Sequence, residues 1–211
     1  MYYQAAKKQT SLYQNALASE TKLLRPVSID YKMINLVAMG ILEIGEKSLD
    51  LAQLEAVKEV KYLNRFPCAM FKVEGITVLL FKNGKMIITG LKDTIQIPHI
   101  KYALEEILED ARFKYNSFEI TIQNLVAMVN LGQRIDLEMM CLTMENCMYE
   151  PEQFPAAIIK NYRKLGGVFL IFANSKIICL GMHDEDLLDE QFNAVVDELY
   201  QLDLVVPKDI N

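Results

Sequence analysis

Asn35-Leu36-Val37-Ala38-Met39 recurs without change as Asn124-Leu125-Val126-Ala127-Met128, 89 residues further along the chain. Five identical residues carry little alone, but the downstream residues of the two halves match in the same order. Phe66-Pro67-Cys68-Ala69 is answered by Phe154-Pro155-Ala156-Ala157, with Lys72 matching Lys160. Phe81-Lys82-Asn83-Gly84-Lys85 is answered by Phe172-Ala173-Asn174-Ser175-Lys176, and Gly90 and Gly181 close the blocks ahead of Asp93 and Asp184. Self-similarity in a preserved order marks a duplicated supersecondary unit. It divides the chain into an arm over residues 1–30, a first half over 31–115, a second half over 116–206 and a tail over 207–211.

Within each half the apolar pattern changes in the same sequence. Leu36 to Ile41 is apolar on both faces, as a buried strand is, and Ile120 to Leu131 repeats it with Thr121, Gln123 and Asn130 interspersed. A short helix is predicted at Leu49 to Val57 and again at Asp136 to Met144. Strand-like runs come next at Cys68–Val73, Ile76–Phe81 and Lys85–Thr89, and at Ala156–Asn161, Val168–Phe172 and Lys176–Leu180. Asn83-Gly84 is a hairpin-turn signal. Each half ends in an amphipathic helix, marked by Ile100, Leu104, Ile107 and Leu108 in the first and by Leu187, Phe192, Val195, Val196 and Leu199 in the second. Strand, helix, several strands, helix, twice over, predicts an α+β fold with an antiparallel sheet covered on one face. The arm lacks a continuous apolar face and reads as mobile or loosely docked; the alternative is a partner-binding helix around Leu12 to Leu24.

With 52% hydrophobic residues in 211, the chain can bury a sizeable core. Lys plus Arg number 22 against 28 Asp plus Glu, a net charge of −6, which excludes a protein that grips nucleic acid mainly through a basic surface but not one that reads DNA with apolar groups. The excess is lopsided: residues 31–115 carry 12 basic and 11 acidic side chains, and residues 116–206 carry 5 and 14. Four Cys are too sparse for a disulfide framework, and no stretch has the length of a signal-peptide core or a membrane helix. An intracellular, reduced protein without membrane association is expected.

Catalytic readings fail one by one. Gly40 to Ser48 approaches the phosphate-loop pattern, but Glu46 separates Gly45 from Lys47 and sets a carboxylate where phosphate would sit. His99 and His183 each stand near the start of a final helix without Cys or acidic residues at metal spacing, and Cys141 and Cys147 have no matching pair, so buried thiols are expected there. Glu105, Glu106, Glu109 and Asp110 read as a solvated helix face. No catalytic residue, metal site or cofactor is expected.

One pair of Phe in each half, placed symmetrically around an apolar strand surface, remains. The duplicated pattern from about Tyr31 to Val206 resembles the saddle-shaped core of the TATA-box-binding protein family. Tyr149-Glu150-Pro151-Glu152-Gln153-Phe154-Pro155 is similar to that family's second stirrup, Gln123-Asn124-Leu125-Val126 to its strand-opening motif, and Phe81 to Gly90 to its Phe-bearing hairpin. The resemblance implies a two-fold repeated saddle, a curved antiparallel sheet with helices on the convex face.

It also implies a function: a transcription initiation factor that binds and bends A/T-rich double-stranded DNA through the minor groove and recruits a transcription factor IIB-type protein and RNA polymerase. Such a factor works in the nucleus of a eukaryote, or in the cytoplasm of an archaeon or of a cell hosting a virus. Minor-groove edges of A·T pairs show only acceptors and G·C adds a donor, so apolar surface with a few amides separates the two. Asn35 and Asn124 fit as donors. By resemblance Phe66, Phe81, Phe154 and Phe172 are wedges between base steps, and Val37, Val126, Leu79, Leu170, Ile87 and Ile178 line the groove-facing sheet with Thr89 beside them. Arg65, Lys72, Lys85, Lys160 and Lys176 match phosphate-holding positions, and Glu150 and Glu152 the IIB-type contact. The pattern departs from the family where Leu180 replaces a second Thr, where Gln153 replaces an apolar residue, and in Phe spacing, 15 residues from Phe66 to Phe81 but 18 from Phe154 to Phe172. These departures leave two rivals: a saddle-shaped interaction module that has lost sequence-specific DNA binding, and an accessory domain of a nucleic-acid enzyme.

Overall fold

The computed structural model of the chain describes residues 23–62, 66–164 and 166–207. Strand β1 (Lys32–Leu42) alternates strictly over its second half, with Leu36, Ala38, Gly40 and Leu42 buried and Val37, Met39 and Ile41 on the other face. The short helix expected over Leu49 to Val57 is a 3-10 turn at Leu51–Ala56. Only Leu51 and Leu54 are buried there, and a spacing of three suits the tighter helix. Strands β2 (Lys61–Tyr62), β3 (Cys68–Val73), β4 (Ile76–Phe81) and β5 (Lys85–Leu91) come next, then helix α1 (Gln96–Asp110). The second half gives β6 (Phe118–Asn130), β7 (Arg134–Ile135), helix α2 (Leu137–Thr143), β8 (Cys147–Met148), β9 (Ala156–Lys160), β10 (Val168–Phe172), β11 (Lys176–Met182), helix α3 (Glu185–Gln201) and β12 (Val205–Val206).

Ten strands form one curved sheet in the order β2-β3-β4-β5-β1-β6-β11-β10-β9-β8, and β12 pairs with β7 in a second. Read from either end, the ten-stranded order gives equivalent strands, so the duplication in the sequence is a two-fold relation in space. Its centre is the antiparallel β1–β6 pair, in which Asn35 faces Val126 and Val37 faces Asn124. The repeated pentapeptide thus lies against its own copy.

Helices cover one face. α1 buries Ile100, Leu104, Ile107 and Leu108, the residues its spacing predicts. On α3 the buried stripe is Leu188, Gln191, Phe192, Val195, Val196 and Leu199. Leu187 is 36% exposed, a correction: a step of four back from Phe192 reaches Leu188, not Leu187. Asp184 caps α3 by accepting from Leu187 N at 3.0 Å, with Glu185 and Asp186 in the first turn where the helix dipole favours anions. Phe192 stacks on Tyr31 at 5.2 Å and meets Phe169 edge-on at 5.7 Å, joining α3 to the sheet.

A second correction concerns the cysteines. Cys141 on α2 and Cys147 on β8 form a disulfide with Cα atoms 4.9 Å apart, instead of two buried thiols. Sparse cysteine argues against a framework of bridges, not against one local pair within six residues. Of the arm, residues 1–22 lie outside the described residues, as does most of the alternative helix at Leu12 to Leu24. Leu23 packs on the core, and Arg25 donates to Asn193 Oδ1 at 2.7 Å and pairs with Asp197, so this end of the arm is docked on α3.

Candidate nucleic-acid interface

The face opposite the helices is lined by the residues of each strand that the core does not take. β4 buries Val78 and Leu80 and turns Thr77, Leu79 and Phe81 outward; β5 buries Met86 and Ile88 and turns Lys85, Ile87 and Thr89 outward. Cross-strand register sets these side by side, Leu79 against Ile87 and Thr77 against Thr89. In the second half Leu170 faces Ile178 and Val168 faces Leu180. Val37 and Val126 complete the rows next to Thr89 and Leu180. The structure therefore brings together all the apolar residues expected on this face, and Thr89 with them.

The four Phe stand at its two ends. Phe66 is 60% exposed and Phe154 38% exposed, while Phe81 and Phe172 are half-buried. Phe154 and Phe172 meet edge-on with ring centroids 6.2 Å apart. Unequal spacing along the chain does not displace them. Phe81 lies opposite Cys68, two residues after Phe66, and Phe172 lies opposite Ala156, two residues after Phe154. The three additional residues sit at the far end of the hairpin, where Glu74-Gly75 joins β3 to β4 but residues 161–167 join β9 to β10.

Asn124 is oriented by the backbone. Gly181, at φ +79°, interrupts the β11–β6 register and turns its N–H to Asn124 Oδ1 at 3.1 Å. With the oxygen held, the amide Nδ2, a donor only, is the group left for a ligand. Asn35 is exposed at the equivalent place on β1. Lys72 faces Thr77, Lys160 faces Val168, Lys85 faces Ile41 and Lys176 faces Asn130, so the four lysines rim the same surface in two-fold related pairs. Arg65 lies outside the described residues.

Strand parity adds residues that motif reading overlooked. Met39 and Met128, Met70 and Ile158, and Thr77 and Val168 occupy equivalent positions on this face. The signal was present, since each stands two residues from a predicted member on the same strand. Behind the surface, burial pushes the Cys179 thiol up to about 12 and raises that of Cys68, which leaves both as inert packing groups. Among the described residues no cluster of His, Cys, Asp or Glu is placed to hold a metal, and no helix is long and apolar enough to cross a membrane. His99 is exposed and bonds Glu74 at 2.8 Å.

At the rim of the second half, the backbone N–H groups of Gln153 and Phe154 both donate to Glu150 O at 2.9 Å, forming the turn that presents Phe154. The Gln153 amide also donates to the Glu150 carboxylate, while Glu150 and Glu152 remain exposed.

A duplicated ten-stranded sheet, helices on one face and paired Phe at both ends of the other define a saddle of the transcription-factor class. The chain belongs to the family described as transcription factor TFIID, or TATA-binding protein, whose model matches residues 30–111 and 119–202. It is 36% identical to the TATA-box-binding protein of Aeropyrum pernix over 182 residues, 84% of this chain and 88% of that one. It is 35% identical to the TATA-box-binding protein of Sulfolobus acidocaldarius over 191 residues, 86% and 95% of the two chains. The solved structure of Methanococcus jannaschii TBP superposes with a TM-score of 0.67 at 28% identity, covering 82% of this chain and 99% of that one.

Proposed function

We propose that the protein is an intracellular general transcription initiation factor, which binds A/T-rich promoter DNA in the minor groove, bends it, and recruits a IIB-type factor and through it RNA polymerase. The observation that carries this reading is the equal placement of the two Phe pairs on the strand ladder despite their unequal spacing in sequence. A module released from DNA has no reason to hold four apolar rings at the two ends of a half-open apolar face. On DNA, each ring enters a base step and the groove edge lies along Val37, Leu79, Ile87, Val126, Leu170 and Ile178. Asn35 and Asn124 donate to the acceptors of the central pairs, and Arg65, Lys72, Lys85, Lys160 and Lys176 hold phosphates. Residues 31–115 and 116–206 act as the two halves of one reader.

The test is a gel-shift and bend assay of the full chain on A/T-rich and G/C-rich duplexes over a range of salt. Tighter binding and bending of the A/T duplex is expected, with a shallow salt slope because few phosphates are neutralised. Equal affinity for both duplexes at every salt concentration sinks the reading in favour of an interaction module.

A further inference from the structure

The two halves of the groove-facing surface are equal in shape and unequal in chemistry. Thr77 faces Thr89 across β4 and β5. At the equivalent place across β10 and β11, Val168 faces Leu180. The four are half-exposed on the same face, and neither Thr hydroxyl bonds another described residue. The flanking positions do not differ in this way: Val37 adjoins Thr89 as Val126 adjoins Leu180, and Lys72 adjoins Thr77 as Lys160 adjoins Val168.

We infer that Thr77 and Thr89 make the first half tolerant of G·C pairs while Val168 and Leu180 make the second half intolerant of them, so that the sheet itself selects a direction on DNA; the inference rests on the minor-groove reading above. A hydroxyl donates and accepts. Facing A·T it donates to adenine N3 or thymine O2, and facing G·C it accepts from the guanine amino group, the one donor the minor groove offers. Against Val168 and Leu180 that amino group is stripped of water with no partner, a penalty A·T does not incur. A box with all its G·C content in one half is therefore bound with Thr77 and Thr89 over that half.

The distinguishing signature is non-additivity. On an A/T run symmetric about its centre, the complex forms in two equivalent orientations. One G·C pair under either half removes one of them and costs about two-fold, whereas two mirror-related G·C pairs leave no escape and cost about ten-fold or more. Affinity of the full chain is measured for these duplexes by fluorescence anisotropy, with circular dichroism confirming that each variant folds. In Thr77→Val with Thr89→Leu, every single G·C pair should cost about ten-fold. In Val168→Thr with Leu180→Thr, the doubly substituted duplex should return to within about two-fold of the A/T run. Single and double costs that simply multiply, in the parent and in whichever variant folds, overturn the inference and leave A/T recognition standing. Failure of the parent to bind the A/T run overturns both.

Discussion

Two Phe separated by three positions in sequence illustrate how a strand decides what a side chain does. Phe169 and Phe172 lie on β10, but Phe169 is fully buried against Tyr162 and Phe192 while Phe172 faces the groove side beside Phe154. Truncation of Phe169 to Ala empties core volume and should cost about 3–5 kcal/mol. Truncation of Phe154 or Phe172 removes contacts from a half-open surface, so a loss of about 1 kcal/mol is expected from the smaller area buried. Their effect belongs on DNA, where each should abolish bending. Melting temperature and bend angle, measured on the same three variants, should separate; if Phe154→Ala and Phe172→Ala unfold outright, these rings are core. The same economy appears at the two equivalent hairpin turns. Gly84 sits at φ +82° with space for no side chain, since a Cβ would come within 2.5 Å of Leu42 O. Ser175 takes a left-handed φ of +59° and uses its hydroxyl to accept from Gln133 N at 2.9 Å.

At the scale of elements, the long hairpin of the second half is the main departure from symmetry, and it is anchored away from the Phe ends. Tyr162 is buried, and its hydroxyl donates to the Glu198 carboxylate and lies 3.3 Å from Ala194 O, while Arg163 reaches Glu198 at 3.8 Å. Burial, with the neighbouring carboxylate, holds the Tyr162 phenol far above its ordinary range. The hairpin and α3 are therefore one unit. Tyr162→Phe deletes the hydroxyl and should lower stability by about 1–2 kcal/mol in urea denaturation, with affinity for A/T duplex unchanged because the groove face is untouched. A large loss of affinity would mean that this hairpin reaches the DNA. Elements of this kind also mark where the sequence could be read and where it could not. Cys68–Val73, Ile76–Phe81 and Val168–Phe172 were legible to the residue, being largely apolar runs, the last two rich in β-branched and aromatic residues, bounded by turn residues. The two-residue strands β2, β7, β8 and β12 were not, because two residues have no period: β2 and β8 form on the edges of β3 and β9, and β7 and β12 form only by pairing with each other across the fold. Asn35, Asn124 and the Phe pairs stood out by duplication, whereas Thr77 and Val168 are unlike one another and were marked only by their parity with Leu79 and Leu170.

For the whole molecule, the second half carries nearly three acidic side chains for each basic one, and the charge is not spread evenly over its surface. Asp184, Glu185, Asp186, Asp189 and Glu190 begin α3, on the face of the sheet away from the groove side, so they repel DNA weakly at most. Glu150 and Glu152 differ, since they stand on the turn before Phe154 at the rim, where the first half has Tyr62-Leu63-Asn64-Arg65. This turn thus carries paired carboxylates that its first-half counterpart in the sequence lacks, and one of them is held in place by the Gln153 amide. Exposed charge of this kind steers and orients a basic partner more than it adds affinity. With Gln153 exposed where an apolar residue would strengthen the contact, recruitment of the IIB-type partner should depend on charge to an unusual degree. Glu150→Arg with Glu152→Arg should therefore leave the bend angle unchanged and eliminate recruitment in a pull-down on promoter DNA, and Glu150→Gln with Glu152→Gln should weaken recruitment without abolishing it. Loss of bending in the Arg pair would show that the turn itself has been disturbed, and undiminished recruitment would move the docking surface to α3, whose acidic first turn is the next paired set of carboxylates on this half.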